Sequence, residues 1–313
     1  MEYLLWLQGV RSDFWNVILM YATELVTSPL MYLFVAVLYW CFAKNAAITL
    51  ALNISIGSMI NQTLKNIFCV YRPWVQNPAL KPVEAAKETA TGYSFPSGHT
   101  QLAATEFLSI AAWQRKRKWL VAVCFFMTFL VMFTRNYLGV HTLPDVLASF
   151  LIACFVVLVT PKLLEWIEHG KNRDLFVTIL VMILSGLTLV YTTLKSYPMD
   201  YLPDGRLLVS PKEMITDCYR AAGCIFGFFL GWLLERRFLK FSTEVSGKIR
   251  AVRGIIGSIL LLLYVVLLKT PMANLDMYWG NFAFMFMAFV FILFLYPLVF
   301  TFVEKLAQKK KLS

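Results

Sequence analysis

The sequence predicts an all-α fold, a polytopic transmembrane helical bundle of about nine spans, and three observations carry that reading. First, 59% of the 313 residues are hydrophobic and only 15% are charged, too few polar groups to clothe a soluble domain. Second, the apolar residues come in runs that approach the roughly 20 residues needed to cross the hydrocarbon core. Third, the basic residues cluster in short stretches between those runs.

Taken in order, the runs are Pro29–Phe42, Ala46–Leu64, Ser97–Trp113, Trp119–Phe133, Leu143–Thr160, Leu175–Thr193, Cys218–Leu234, Gly254–Leu268 and Asn281–Val303. Several are short and need their polar flanks to complete a span. The first 27 residues are apolar but broken by Arg11, Asp13 and Glu24, which reads as an interfacial amphipathic segment, with a tenth span as the alternative. Alternating the nine spans puts most of the 29 basic residues on one side, including Lys44, Arg115 to Lys118, Arg236, Arg237 and the C-terminal lysines. That side is expected to be cytoplasmic, with the C-terminus on it. The net charge of +11 is thus explained by loop clusters rather than by a nucleic-acid surface. Aromatics reach 16%, as expected where rings anchor span ends.

Two long loops fall on the opposite side. One runs from Tyr71 to Phe95 and contains Pro73, Pro78 and Pro82; the other runs from Ser196 to Thr216 and contains Pro198, Pro203, Gly205 and Pro211. The six cysteines include no CxxC pair; Cys69 and Cys218 lie nearest span ends, which leaves a link between them open. No group of His, Cys and Asp has metal-ligand spacing, so neither a metal nor another cofactor is expected.

Three stretches on the sparsely basic face carry the candidate chemistry. They are Lys65 to Pro73, Tyr93 to His99, and Arg135 to Asp145, and they hold two of the three histidines. A phosphoryl group spreads negative charge over its oxygens and is handled mainly by positioning and charge. Lys65 and Arg72, two helical turns apart, can reach one site, and Arg72 and Arg135 can each offer a planar fork. Ser97 and Gly98 open an apolar helix whose free N–H groups would face an anion. His141 and Asp145 are four apart, so a carboxylate can fix the imidazole tautomer and leave the other nitrogen free to attack phosphorus. His99 would be the acid for the leaving oxygen and later the base for water. Singly these features are weak: a cation at a span end is usually a snorkelling anchor, and Ser-Gly before a helix is often a cap. Their ordered occurrence on one face is what points to a site.

The stretches resemble the signature of the type 2 phosphatidic acid phosphatase superfamily: K-x6-R-P, then P-S-G-H, then S-R-x5-H-x3-D. Every charged position is met, and Thr134 stands where the family commonly has Ser. The resemblance covers roughly Pro29 to Thr160. It implies a six-helix catalytic core with extra C-terminal spans, divided here as residues 1–160 and 161–313. It also implies that Lys65, Arg72, Ser97, Gly98 and Arg135 bind phosphate, that His99 is the acid, and that His141 is the nucleophile oriented by Asp145. The implied activity is hydrolysis of a lipid phosphate or polyprenyl diphosphate at the outer face of the cell membrane, through a phosphohistidine and without metal. A soluble sugar phosphate is the alternative substrate, since the layout is also similar to that of glucose-6-phosphatase. A transporter is the alternative class, but no broken-helix repeat supports it. Glu106 is a further intramembrane acid, either functional or a buried structural group. The last four spans, with a Gly-rich stretch at Gly223 to Gly231, could form a wall at an acyl-chain entrance.

Overall fold

The chain is an all-helical membrane bundle, and its computed structural model describes residues 1–202 and 205–312. Pro203 lies outside the described residues. The N-terminal segment forms α1 (Glu2–Gly9) and α2 (Asp13–Thr27), the latter capped by Ser12. A bend of 43° leads into α3 (Pro29–Cys41). Proline dictates that bend. The residue before it, Ser28, is driven to extended geometry with ψ 153°, and Pro29 then starts the new helix, where no N–H is needed. Helix α4 (Lys44–Phe68) ends on Cys69 in the left-handed region, φ 48°. One-turn helices α5 (Pro73–Gln76) and α6 (Glu84–Thr89) punctuate the long loop that follows.

Next come α7 (Gly98–Trp113), α8 (Lys118–Tyr137), α9 (Leu143–Glu168) and α10 (Arg173–Leu194). The remaining elements are α11 (Pro211–Leu234), α12 (Gly247–Leu275), α13 (Trp279–Val290) and α14 (Tyr296–Leu312). A five-residue π-helical stretch, Phe291–Leu295, joins the last two into one continuous rod.

All nine apolar runs are helical, but fewer helices cross on apolarity alone. Five are long and apolar enough, namely α8, α9, α10, α12 and the α13–α14 rod, and the bent α2–α3 pair would make a sixth. Helix α7, at 16 residues, is short for a crossing, and α4 and α11 fall short for a different physical reason. They are surrounded by protein, so their polar side chains face partners rather than lipid. In α4, Asn53, Ser55, Asn61, Lys65 and Asn66 are all buried. Helix α4 packs against α3, α7, α9 and α11 and forms the axis of the bundle.

Helix α11 lies against α13 with no side chain between them at three turns. A Cβ on Gly227 would sit 2.4 Å from the carbonyl oxygen of Phe286, and one on Gly223 would sit 2.4 Å from that of Phe282. At the end remote from the two long loops, ion pairs lock the outer helices: Lys44 to Glu235 at 2.5 Å and Arg253 to Glu304 at 2.7 Å. The six cysteines are free thiols, so Cys69 and Cys218 are not linked; the Cys218 thiol accepts instead from the Asn66 amide.

The N-terminal segment does more than lie in an interface. Leu4 and Leu7 are buried with Leu80, Ala86, Leu138 and Val140 over the loop end of the bundle, and α2 packs on α7 and α8. Arg11 donates to the carbonyls of Tyr137 and Lys81, tying this segment to the long loop.

Candidate active site

The three motif stretches converge at one end of the bundle. Lys65 is near the C-terminal end of α4, His99 is in the first turn of α7, Arg135 is in the last turn of α8, and Asp145 is in the first turn of α9. Lys65 and Arg72 do meet, but not through helical periodicity. The left-handed turn at Cys69 reverses the chain, and Arg72 returns as the extended residue that precedes Pro73.

A second tight turn sets His141. Gly139 has φ +77°, a conformation that a side chain would strain. The chain then folds back so that the N–H groups of Val140 and His141 both donate to the carbonyl of Arg135, at 3.1 and 3.2 Å. Arg135 thus closes α8 with its backbone and places its guanidinium in the site. His141 precedes the α9 cap, so the four-residue spacing to Asp145 works across a capping box rather than along a helix. Thr142 N–H donates to Asp145 Oδ2 at 2.7 Å. The same Oδ2 accepts from Ser94 Oγ at 2.6 Å and lies 3.4 Å from His141 Nδ1. This network fits the tautomer with the proton on Nδ1.

The Nε2 lone pair then points away from the carboxylate, and Arg72 Nη1 is 2.8 Å from it. Arg72 is held by carbonyls of the first long loop, Gly92 at 3.0 Å and Thr91 at 2.6 Å, and of the turn between α8 and α9, Val140 at 3.0 Å. Burial, and then the neighbouring Arg135, push the Arg72 guanidinium down to about 9. Burial and the Arg72 charge hold His141 well below the usual imidazole value, against the pull of Asp145.

Electrostatics says what the cup lacks. Lys65, Arg72 and Arg135 are 6%, 4% and 0% exposed, and the carboxylate buried among them is Asp145. Buried charges are costly unless paired; the partly exposed Glu24 and Asp217 add negative charge near Arg135 and Lys65, but the fully buried cations still outnumber Asp145, so the cup favours a further anion. Arg135 shows where it would sit. Its Nη1 reaches Thr23 Oγ1 at 3.4 Å, whereas its buried Nε and Nη2 have no partner among the described residues. Those two nitrogens form one edge of the guanidinium, the edge that grips two oxygens of a phosphate at once. Lys65 Nζ donates to the carbonyl of Tyr93 at 3.1 Å and keeps two further protons.

The N-terminus of α7 completes the wall, with one correction to the sequence reading. The N–H of Ser97 is not free for an anion: it donates to the carbonyl of Asp145 at 3.2 Å, while Ser97 Oγ caps Thr100 N–H at 3.4 Å. Ser149 Oγ donates to the Ser97 carbonyl at 2.8 Å, so the first turns of α7 and α9 are clamped together. The N–H groups of Gly98 and His99 find no acceptor among the described residues. Tyr93 is fully buried, and it is its carbonyl that serves Lys65.

Three site residues carried no role in the motif reading. Ser94 orients Asp145, Thr23 meets Arg135, and Glu24 Oε1 lies 3.3 Å from His99 Nε2. The available signal for Glu24 was an acid within an apolar run; for Ser94, which sits in a loop, no periodicity could have found it. Glu106 is buried with Oε2 unpartnered and shares no hydrogen bond with these residues. Among the described residues no group of three or more His, Cys, Asp or Glu side chains is placed to hold a metal ion.

A sequence model described as the PAP2 superfamily matches residues 46–168, the stretch that contributes every motif residue of this cup. A second, described as the PAP2 superfamily phosphatase transmembrane extension, matches residues 219–309. The chain belongs to the PAP2 superfamily. Helices α11 to α14 fall in the match to its transmembrane extension. The chain is also similar to an undecaprenyl-diphosphatase of Sulfolobus acidocaldarius, 26% identical over 113 residues. That alignment covers 36% of this chain and 52% of the relative, so the chain spans about half the length of the curated relative it matches. No solved structure matches it.

Proposed function

We propose that this PAP2 protein hydrolyses a phosphate ester or diphosphate on a membrane lipid, at the extracytoplasmic face of the cell membrane, through a phosphohistidine on His141. The observation that carries the reading is the unpaired Nε–Nη2 edge of buried Arg135, in a cup with two further buried cations and an imidazole oriented by Asp145. Phosphate oxygens on Arg135, Lys65 and the Gly98 and His99 N–H groups would draw Arg72 Nη1 off His141 Nε2 and onto phosphate. The freed Nε2 attacks phosphorus, the bond from phosphorus to the leaving oxygen breaks, and His99 gives that oxygen its proton. Water then attacks phosphorus and gives its proton to His99, the P–N bond breaks with its electron pair returning to His141 Nε2, and inorganic phosphate leaves.

A lipid substrate is supported by the site's place at the ends of spanning helices and by the similarity to the undecaprenyl-diphosphatase of Sulfolobus acidocaldarius. The extracytoplasmic assignment is supported by the excess of basic residues at the opposite end, which also puts the C-terminus in the cytoplasm. The side chains supply the charge a metal would, so chelation with EDTA is expected to leave turnover intact. The deciding experiment is phosphate release from a radiolabelled lipid phosphate by purified wild type and His141→Ala. Wild type should trap an acid-labile, base-stable phosphoenzyme, and the variant should neither trap label nor release phosphate. Turnover by His141→Ala at the wild-type rate would remove His141 as the nucleophile.

A further inference from the structure

Beside the cup lies a cavity of about 420 Å³, walled by α3, α4, α11, α12 and α13. Its volume is within the range of small-molecule sites. The lining on α11, α12 and α13 grades from polar to apolar. At the end near the active site the lining is polar: Thr27, Gln62, Asp217, Arg220, Lys269 and Asn281. Deeper along the same helices it is apolar: Leu33, Cys224, Leu261, Met285, Phe289 and Ile292. From Asn281 to Ile292 the wall descends roughly 16 Å at 1.5 Å per residue, about half of a 30 Å hydrocarbon core. The groove therefore runs from the membrane surface to near the midplane, the depth that one lipid chain occupies in one leaflet.

Two helices connect this groove to the chemistry. On α4, Ser58 and Gln62 line it, and Lys65 follows on the same face at the i, i+4, i+7 spacing. On the α2 side Thr27 lines it, one turn after Glu24, which meets His99. Gln62 Oε1 is buried and has no partner among the described residues. At the mouth, Arg220 is fixed by Asn281 Oδ1 at 2.8 Å and Asp217 at 3.2 Å, with Lys269 exposed beside it.

We infer that this groove holds the apolar chain of the lipid whose phosphate enters the cup, so that the transmembrane extension selects substrate by its chain. The inference rests on the lipid-phosphatase reading above. Its occupant is an amphiphile with an anionic head, because the polar rim carries Arg220 and Lys269 and the lining below it is mainly apolar, with a thiol and the hydroxyls of Tyr32 and Ser58. Of the five walls, α12 and α13, with most of α11, belong to the extension, and these contribute Cys224, Leu261, Met285, Phe289 and Ile292. The extension thus acquires a task that the catalytic motifs do not supply.

The test uses the full-length enzyme in detergent and compares a long-chain polyprenyl phosphate with a five-carbon prenyl phosphate too short to reach the depth. Ala288→Trp on α13 and Val265→Trp on α12 place a ring in the groove away from every cup residue. Each is expected to lower kcat/KM for the long chain by about tenfold or more, mainly through KM, and to leave the short substrate within about twofold. A long-chain phosphate bearing a photoreactive group near its tail should label peptides of α12 or α13 in wild type and lose that labelling in both variants. Wild-type hydrolysis of the long chain with both variants equally active, equal losses on both substrates in both variants, or labelling confined to other helices would overturn the inference. No hydrolysis of any lipid phosphate by wild type would instead overturn the underlying reading.

Discussion

Ser94→Ala isolates the part of the site that the motifs do not name. Ser94 is fully buried, and its hydroxyl makes the shortest of the three contacts to Asp145 Oδ2, 2.6 Å against 2.7 Å from Thr142 N–H and 3.4 Å from His141 Nδ1. A hydrogen bond to a charged group contributes about 1.5–3 kcal/mol. If all of it were felt in the transition state, the rate would fall roughly 10- to 150-fold at about 1.4 kcal/mol per factor of ten. Asp145 keeps two contacts after the change, so a loss near tenfold in kcat is expected. KM should stay within about twofold, since Ser94 orients the carboxylate rather than gripping phosphate. The assay is steady-state phosphate release with kcat and KM resolved, run on Ser94→Ala, Asp145→Asn and the double variant. Because Ser94 acts through Asp145, the double variant should be no worse than Asp145→Asn alone. Multiplicative losses in the double variant, or a fully active Ser94→Ala, would refute the orienting role.

Glu24→Gln is expected to lower kcat several-fold and to change the pH profile, because Glu24 is the carboxylate that meets His99 Nε2; an unchanged profile would leave Glu24 as a packing residue. Gly227→Ala should destabilise the extension by about 1–3 kcal/mol, read as a lower unfolding temperature in detergent, because its methyl would meet the Phe286 carbonyl at 2.4 Å. The acidic limb of kcat/KM should fall below the usual imidazole range near 6.5, since burial and Arg72 hold His141 neutral to lower pH; a limb above that value would contradict the assignment. The same depressed His141 works against stability in acid. Below about 6.5 the unfolded chain takes up a proton that the folded site refuses, so stability should decline as pH drops from that point toward the folded value, and a pH series of melting temperatures checks it.

The bundle was legible because lipid imposes a coarse, long-range demand: each crossing needs an apolar stretch, and each of the nine runs is helical. Crossing by apolarity was least legible in α4 and α11. Helices encased in protein are released from that demand and can spend positions such as Asn53 and Asn61 on polar contacts. The site was legible in its charged members for a related reason, since few charges are tolerated at such depth, and those present are conspicuous. How they converge was not. Lys65 and Arg72 meet because Cys69 turns left-handed, and His141 reaches Asp145 across a cap because Gly139 reverses the chain. Neither turn announces itself by periodicity.

The least legible group is uncharged or far away in sequence. Ser94 looks like any loop serine, and Thr23 and Glu24 sit in a segment whose composition suits a membrane surface. Their roles follow from a requirement that only assembly reveals. Once Arg135 is fully buried, one side of its guanidinium must be satisfied by protein so that the other can face substrate. Thr23 satisfies that side, which makes α2, a segment outside both family matches, a wall of the cup. The same logic gives the extension its place. A phosphate cup at the end of spanning helices leaves the lipid's apolar part to be accommodated within the bilayer. A cavity beside the cup, walled in part by α11, α12 and α13, descends into apolar depth.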